Sequence, residues 1–385
     1  MSWPRLLAGG ALVALGCGEE ESARLEDHRA FHETELTVLD LSLAERADGG
    51  ESLASWIEVP DEGTDVYWTD PRDDAAPLHR AHIGGFAVQW QISPLVTSSS
   101  GYTRLGITQS RAVELLLDPQ GELEGLTSLF GFGQGTGEFR LAATTGGVVL
   151  LRYDDSSLEL WSRAGEAWAV AARLPGSRCY LSDAFAVAPT ASGESVAVLV
   201  QSAGDPGAQC STFLHRVDAS GQLLASSPVA GSAFDGDGQP RLVIADLVSV
   251  PPGGTASLWI GADGTARVYL TGADPADFAF DLDAPTWSAD DAVVASPRLL
   301  ASESLLFVQY RLDEGGVLGP LQAVVVDPAS GEVGDPFEWP LDEDECRDAV
   351  FVPDGSSAFE YCCVGACQGA GCRTSWLYRG RLVAP

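Results

Sequence analysis

Residues 258–270 read as a β-hairpin, with Leu258-Trp259-Ile260 and Ala266-Arg267-Val268-Tyr269 flanking Asp263-Gly264. Asp-Gly between apolar, β-branched and aromatic runs predicts a two-residue type I′ turn, which needs positive φ at both central positions. The unit recurs. Strand-like runs lead to Gly63, Gly121, Gly165, Gly221, Gly264, Gly331 and Gly380. Six intervals separate Gly63 from Gly380, about 53 residues each, which is the length of a four-stranded propeller blade. Further short runs precede the hairpins: 184–188 and 195–200 before Gly221, and 293–295 and 305–308 before Gly331.

Two inner strands plus an outer hairpin make one blade, so the expected fold is all-β: a β-propeller of seven four-stranded blades. The uneven spacing leaves six or eight blades, or a β-sandwich, open. The 43 Gly and 22 Pro suit many short strands joined by tight turns. A ring must join its ends or leave strand edges exposed. Residues 36–43, apolar and without a hairpin partner before Gly63, are expected to pair in the last blade.

The chain opens with Arg5 and an apolar run over residues 6–16, too short to span a bilayer and fitting a signal-peptide core. It ends Val13-Ala14-Leu15-Gly16-Cys17, which resembles the lipobox of bacterial lipoproteins, with Ala14 and Leu15 in swapped order. The resemblance implies removal of residues 1–16, acylation of Cys17 and attachment to the envelope membrane. Gly18 after the Cys implies sorting to the outer membrane. Residues 17–32, rich in Glu and Asp, are expected to be an acidic tether, and 33–385 the propeller domain. Several acyl chains on Cys17 would anchor the chain stably.

Charge narrows the partners. Asp and Glu number 55 against 22 basic residues, all Arg, for a net charge of −33. Nucleic acid and anionic membrane surfaces are disfavoured. The absence of Lys excludes a Schiff-base lysine and a phosphate-loop lysine.

Seven further cysteines follow Cys17, and an exported chain meets an oxidising compartment. Cys179 and Cys210 bracket two inner strands and are expected to pair. Cys346 is expected to bridge either Cys362 or Cys363. Adjacent residues on a strand face opposite ways, so those two do not bridge each other. The leftover member could pair with Cys367 or Cys372, leaving one thiol over. A zinc site at Cys362, Cys363, Cys367 and Cys372 lacks the paired C-x2-C spacing.

Other motifs carry less. His28/His32 and His79/His82 have helical metal-ligand spacing but fall in the tether and in a Pro-flanked loop. His215 lies on an outer strand. Asp235 and Asp237, in Asp-Gly-Asp-Gly, begin like a calcium loop, yet Pro240 stands where that loop needs Gly. A turn is the expectation and calcium the alternative. The Gly-rich stretch 131–137 lacks the Lys of a phosphate loop. Asp327 to Gly331 partly resembles a quinoprotein propeller repeat but occurs once. No catalytic residue, cofactor or metal site is assigned. The expected function is a membrane-tethered binding module for an envelope protein or glycan. The alternative is an envelope glycoside hydrolase or lyase using two carboxylates at the propeller funnel.

Overall fold

The computed structural model describes residues 22–385 except 37, 46–51, 61–62, 84–90, 108–111, 130–138, 155–156, 165–166, 176, 179–184, 191–192, 204–209, 235–240, 251–252, 273–279, 290–291, 342–345, 356 and 367–373. The described residues contain strands and turns and no helix. They form seven antiparallel sheets in chain order, which are the seven blades. Blade 1 is Val38–Ala44, Leu53–Glu58, Thr64–Thr69 and His79–Ile83. Blade 3, Phe139–Thr144 to Ala167–Pro175, blade 5, Leu242–Val250 to Trp287–Ser288, and blade 6, Val294–Ala301 to Phe337–Glu338, repeat the meander. Blades 2 and 4 have a divided first strand: Gln91–Ile92 and Val96–Ser98 both pair Gly101–Ile107, and Ser177–Arg178 and Phe185–Pro189 both pair Ser195–Ala203.

Blade 7 closes the ring. Its first three strands are Arg347–Pro353, Ala358–Ala366 and Ser375–Val383, and its fourth is the N-terminal strand Arg24–Thr34. The register runs from Arg24 opposite Val383 to Thr34 opposite Ser375, with two bulges. Closure by an N-terminal strand was expected, but from the wrong segment. Residues 38–44 begin blade 1 and share no sheet with 347–383, while residues 24–32, expected as tether, carry the closing strand. Ala23, Leu25 and Phe31 pack against the flanking cores and drive the pairing despite the surrounding charges.

The core is divided among the seams. The described residues form seven apolar clusters, one between each pair of neighbouring blades. The cluster of Leu41, Leu43, Ala54 and Trp56 with Val352, Cys362 and Leu377 joins blade 7 to blade 1. Each buried Leu or Val contributes about 1.5–3 kcal/mol. A disc of neighbour interfaces can therefore grow past the size of a single-core domain.

Three turn expectations need correction. Gly264 has φ +81°, but Asp263 is not at positive φ, and the strands end at the Ile260–Ala266 pair. The turn is thus longer than two residues, with the Asp263 carboxylate accepting from Thr265 N and Oγ1. Gly63 and Gly264 stand between second and third strands of their blades, not in the outer hairpin. Gly380 lies inside Ser375–Val383, where a Cβ would sit 2.5 Å from Tyr361 Oη. Its missing side chain makes room for that ring. Gly121, Gly221 and Gly331 do turn outer hairpins, each after an Asp that accepts backbone N–H bonds within the turn.

Candidate seam cleft

The seam between blades 7 and 1 holds an extended polar constellation. On its blade 1 side, Glu58 ends a strand and is 2% exposed. It accepts from His32 Nε2 at 2.9 Å, Thr34 Oγ1 at 3.0 Å and Trp56 Nε1 at 3.0 Å. Burial pushes the Glu58 pKa up, but the hydrogen bonds from His32, Trp56 and Thr34 outweigh it and hold the carboxyl below its ordinary value. His32 also lies against Trp56, with ring centroids 5.0 Å apart, and Trp56 stacks on Tyr67 at 5.7 Å. Beyond them Asp65, 1% exposed, binds Arg80 at 2.5 Å and His82 at 2.7 Å. His28 stacks on Tyr378 at 5.0 Å and places Nδ1 2.5 Å from Tyr361 Oη. His28, His32, His79 and His82 therefore lie on strands, not in a tether or loop.

At the opposite end of this seam is a cleft of about 340 Å3. Four guanidinium groups line it, from Arg29, Arg72, Arg379 and Arg381, with Glu360, Tyr361 and Cys362 at its base. Three strands and one loop converge there: the closing strand supplies Arg29, Ser375–Val383 supplies Arg379 and Arg381, Ala358–Ala366 supplies Glu360, and the loop after Thr69 supplies Arg72. Glu360 takes Arg72 and the Ser52 hydroxyl. Arg381 donates to Asp354 at 2.5 Å and to Glu26 at 2.9 Å, and these bonds hold its pKa above the ordinary value. The sequence reading missed all four arginines, because each lies on a strand or loop without a motif and only ring closure brings them together.

The cysteines divide between two seams. Cys346 bridges Cys363, with Cα atoms 5.3 Å apart, inside the core between blades 6 and 7. Cys362, one residue earlier, faces the other way into the blade 7–blade 1 core as a free buried thiol. It makes no bridge to Cys367 or Cys372, the pairing left open for the leftover member. Burial pushes the Cys362 thiol pKa up, and the nearby Asp70 charge adds to the shift. Cys210 is disulfide-bonded. Cys17, Cys179, Cys367, Cys372, Asp235, Asp237 and the 131–137 stretch lie outside the described residues.

Two acids sit at bulges on the innermost strands, the place where funnel chemistry was considered. Asp40, at φ 49°, is ion-paired to the buried Arg104, which also donates to Ser55 Oγ at 2.7 Å. Asp246 accepts from Leu247 N at 2.8 Å and Leu299 N at 3.0 Å. Burial raises its pKa against the lowering effect of those bonds and of Arg298 and Arg140. Asp246 thus ties blade 5 to blade 6, as Ser42 ties blade 1 to blade 2 by accepting from Leu95 N at 2.7 Å.

No protein-family model matches the chain, and no curated protein is significantly similar to it. Among solved structures, the chain is similar to the WD40 domain of SCAP from fission yeast, at 9% identity and TM-score 0.47, over 94% of this chain and 98% of that one. It is also similar to prolyl oligopeptidase B from Galerina marginata, at 11% identity and TM-score 0.46, over 84% of this chain and 46% of that one. A third is the six-bladed, fucose-recognising lectin of Aleuria aurantia, at 14% identity and TM-score 0.41, over 79% and 97%.

Proposed function

We propose that the chain is a binding module of the bacterial cell envelope, anchored in the outer membrane through an acylated Cys17, that takes an envelope protein or glycan at the blade 7–blade 1 seam. The observation that carries the reading is the cleft, where four of the 22 arginines of a strongly acidic chain line one cavity. Concave sites lined by a few convergent polar groups are the usual place for a ligand. The Cys17 lipobox supplies the anchor, and the closing strand that begins at Arg24 would hold the disc within a few residues of it.

The alternative, a glycoside hydrolase or lyase, draws support from the raised pKa of Asp246, since a glycosidase acid needs such a shift. Against it, Asp246 already binds two backbone amides. The test has two arms. Cells expressing the full chain or Cys17→Ser are labelled with palmitate and fractionated. The wild-type chain should take label and follow membranes, and the variant should do neither. The purified full chain is then screened for capture of envelope glycans and proteins and for glycoside cleavage. Turnover that disappears in Asp246→Asn would replace the binding reading with the enzymatic one.

A further inference from the structure

Two guanidinium groups of the cleft share a single carboxylate, although Asp27, Asp354 and Glu360 also line it. Asp74 lies on the loop after Thr69. One of its oxygens is 3.0 Å from Arg29 Nη1, and the other is 3.0 Å from Arg379 Nη2. One carboxylate therefore serves two guanidinium groups that come from adjacent strands of blade 7. The other two arginines of the cleft are differently placed, Arg72 with Glu360 and Arg381 shared between Glu26 and Asp354.

The two guanidinium groups differ in burial. The Arg379 side chain is 7% exposed, while those of Arg29 and Asp74 are 50% and 66% exposed. The Nε of Arg379 is buried and has no hydrogen-bond partner. A buried guanidinium N–H left unpaired carries a desolvation cost, and a planar fork of N–H donors fits a carboxylate bidentately. The side edge of Arg379, Nε with one Nη, is half used: Nη2 reaches Asp74 and Nε reaches nothing.

We propose that Arg29 and Arg379 form a subsite for the carboxylate of a small acidic ligand, and that Asp74 stands in for that carboxylate and competes with it. The inference rests on the cleft being the module's binding site. A ligand carboxylate seated deeper than Asp74 could accept from both Nε and Nη2 of Arg379 and from Arg29, satisfying the donor Asp74 leaves open. Asp74 is an exposed loop residue, so its withdrawal disturbs no core. The ring of Tyr361 and the guanidinium of Arg72 would then border the rest of the ligand. Acidic sugars and simple dicarboxylates share this chemistry.

The test is titration of the purified full-length chain at low salt with glucuronate and with succinate, followed by calorimetry. Saturable binding of either is expected, succinate alone pointing to dicarboxylates and glucuronate to acidic glycans. Asp74→Asn should tighten it several-fold by removing the competitor. Arg379→Gln should weaken it at least tenfold. Because Arg379 is buried, Arg29→Gln provides the check at an exposed position and should weaken binding with an unchanged melting temperature. Failure of both acids to bind Asp74→Asn overturns the proposal, as does binding indifferent to all three substitutions. If a neutral glycan binds instead and Arg29→Gln abolishes that binding, the carboxylate subsite is wrong while the seam remains the module's site.

Discussion

His32 Nε2 lies 2.9 Å from Glu58 Oε1, joining the closing strand of blade 7 to the second strand of blade 1. With Thr34 donating to the same carboxylate, two of its three donors come from one blade and the acceptor from the next. The pair therefore latches the ring at the one seam where the chain's two ends meet.

Glu58→Ala should destabilise the protein by about 3–5 kcal/mol, because it strands a half-buried histidine, a buried indole N–H and a buried hydroxyl together. The pH sign follows from the carboxyl's lowered folded-state pKa. Its contribution is fully present above the unfolded carboxylate value of about 4.3, and is lost as pH falls through the lower folded value. Urea unfolding between pH 7 and pH 3 should show this loss in the wild type and a shallower one in Glu58→Gln. A wild-type stability equal to that of Glu58→Ala at pH 7 would remove the latch from the account.

His215 gives a second, separable acid response. It is 8% exposed on the third strand of blade 4, ring-stacked on Phe213, and burial lowers its pKa to about 4. The unfolded chain binds this proton at about 6.5 and the folded chain only near 4. Stability is therefore lost as pH falls from 6.5 towards 4, by up to about 3 kcal/mol. His215→Phe should flatten the stability profile in that window and leave the steeper carboxylate loss below it. A profile unchanged by the substitution would mean that His215 is protonated in the folded chain.

Much of the architecture was legible because propellers repeat their chemistry. Asp118 to Gly121 and Asp218 to Gly221 place Asp three residues before a positive-φ Gly, and each Asp caps its own turn. That is a local device, visible without the fold. The closing strand was not legible. Arg24–Thr34 carries seven charged residues or histidines, with Arg24, Asp27, Arg29 and Glu33 exposed, so its composition resembles a solvated tether. Its partner Ser375–Val383 is some 350 residues away, and nothing local encodes that pairing. The cleft inherits the same difficulty: Arg29, Arg72 and Arg379 are ordinary surface-type residues until the ring closes. The opposite orientations of Cys362 and Cys363 followed from strand alternation, but which of them met Cys346 depended on which seam each faced.

The Cys346–Cys363 bridge closes a loop with a sequence separation of 17, for which chain entropy gives about 3 kcal/mol of stabilisation. Cys363→Ala should lower stability by about that amount. Cys362, buried in the neighbouring core, should remain unmodified by a thiol reagent in the native protein and react only after denaturation. Native-state mass spectrometry after alkylation measures this directly. Rapid labelling of Cys362 in the folded chain would contradict its placement in the blade 7–blade 1 core.

Truncation tests the closure itself. Removing residues 1–21 leaves the whole of Arg24–Thr34 in place, and the unfolding midpoint should not change. Removing residues 1–34 takes away the fourth strand of blade 7 and with it Leu25 and Phe31 from two seam cores. It also strips Glu58 of His32 and Thr34, and leaves Ser375–Val383 as an unpaired edge, open to intermolecular pairing. Against a total stability of about 5–15 kcal/mol, these losses should leave no cooperative folded monomer. Gel filtration should show aggregates, and thermal melting monitored by circular dichroism should lose its single transition. A monomeric, cooperatively melting 35–385 chain would mean that blade 7 holds with three strands, and that the seam is closed by the core of Leu43, Trp56, Cys362 and Leu377 without the N-terminal strand.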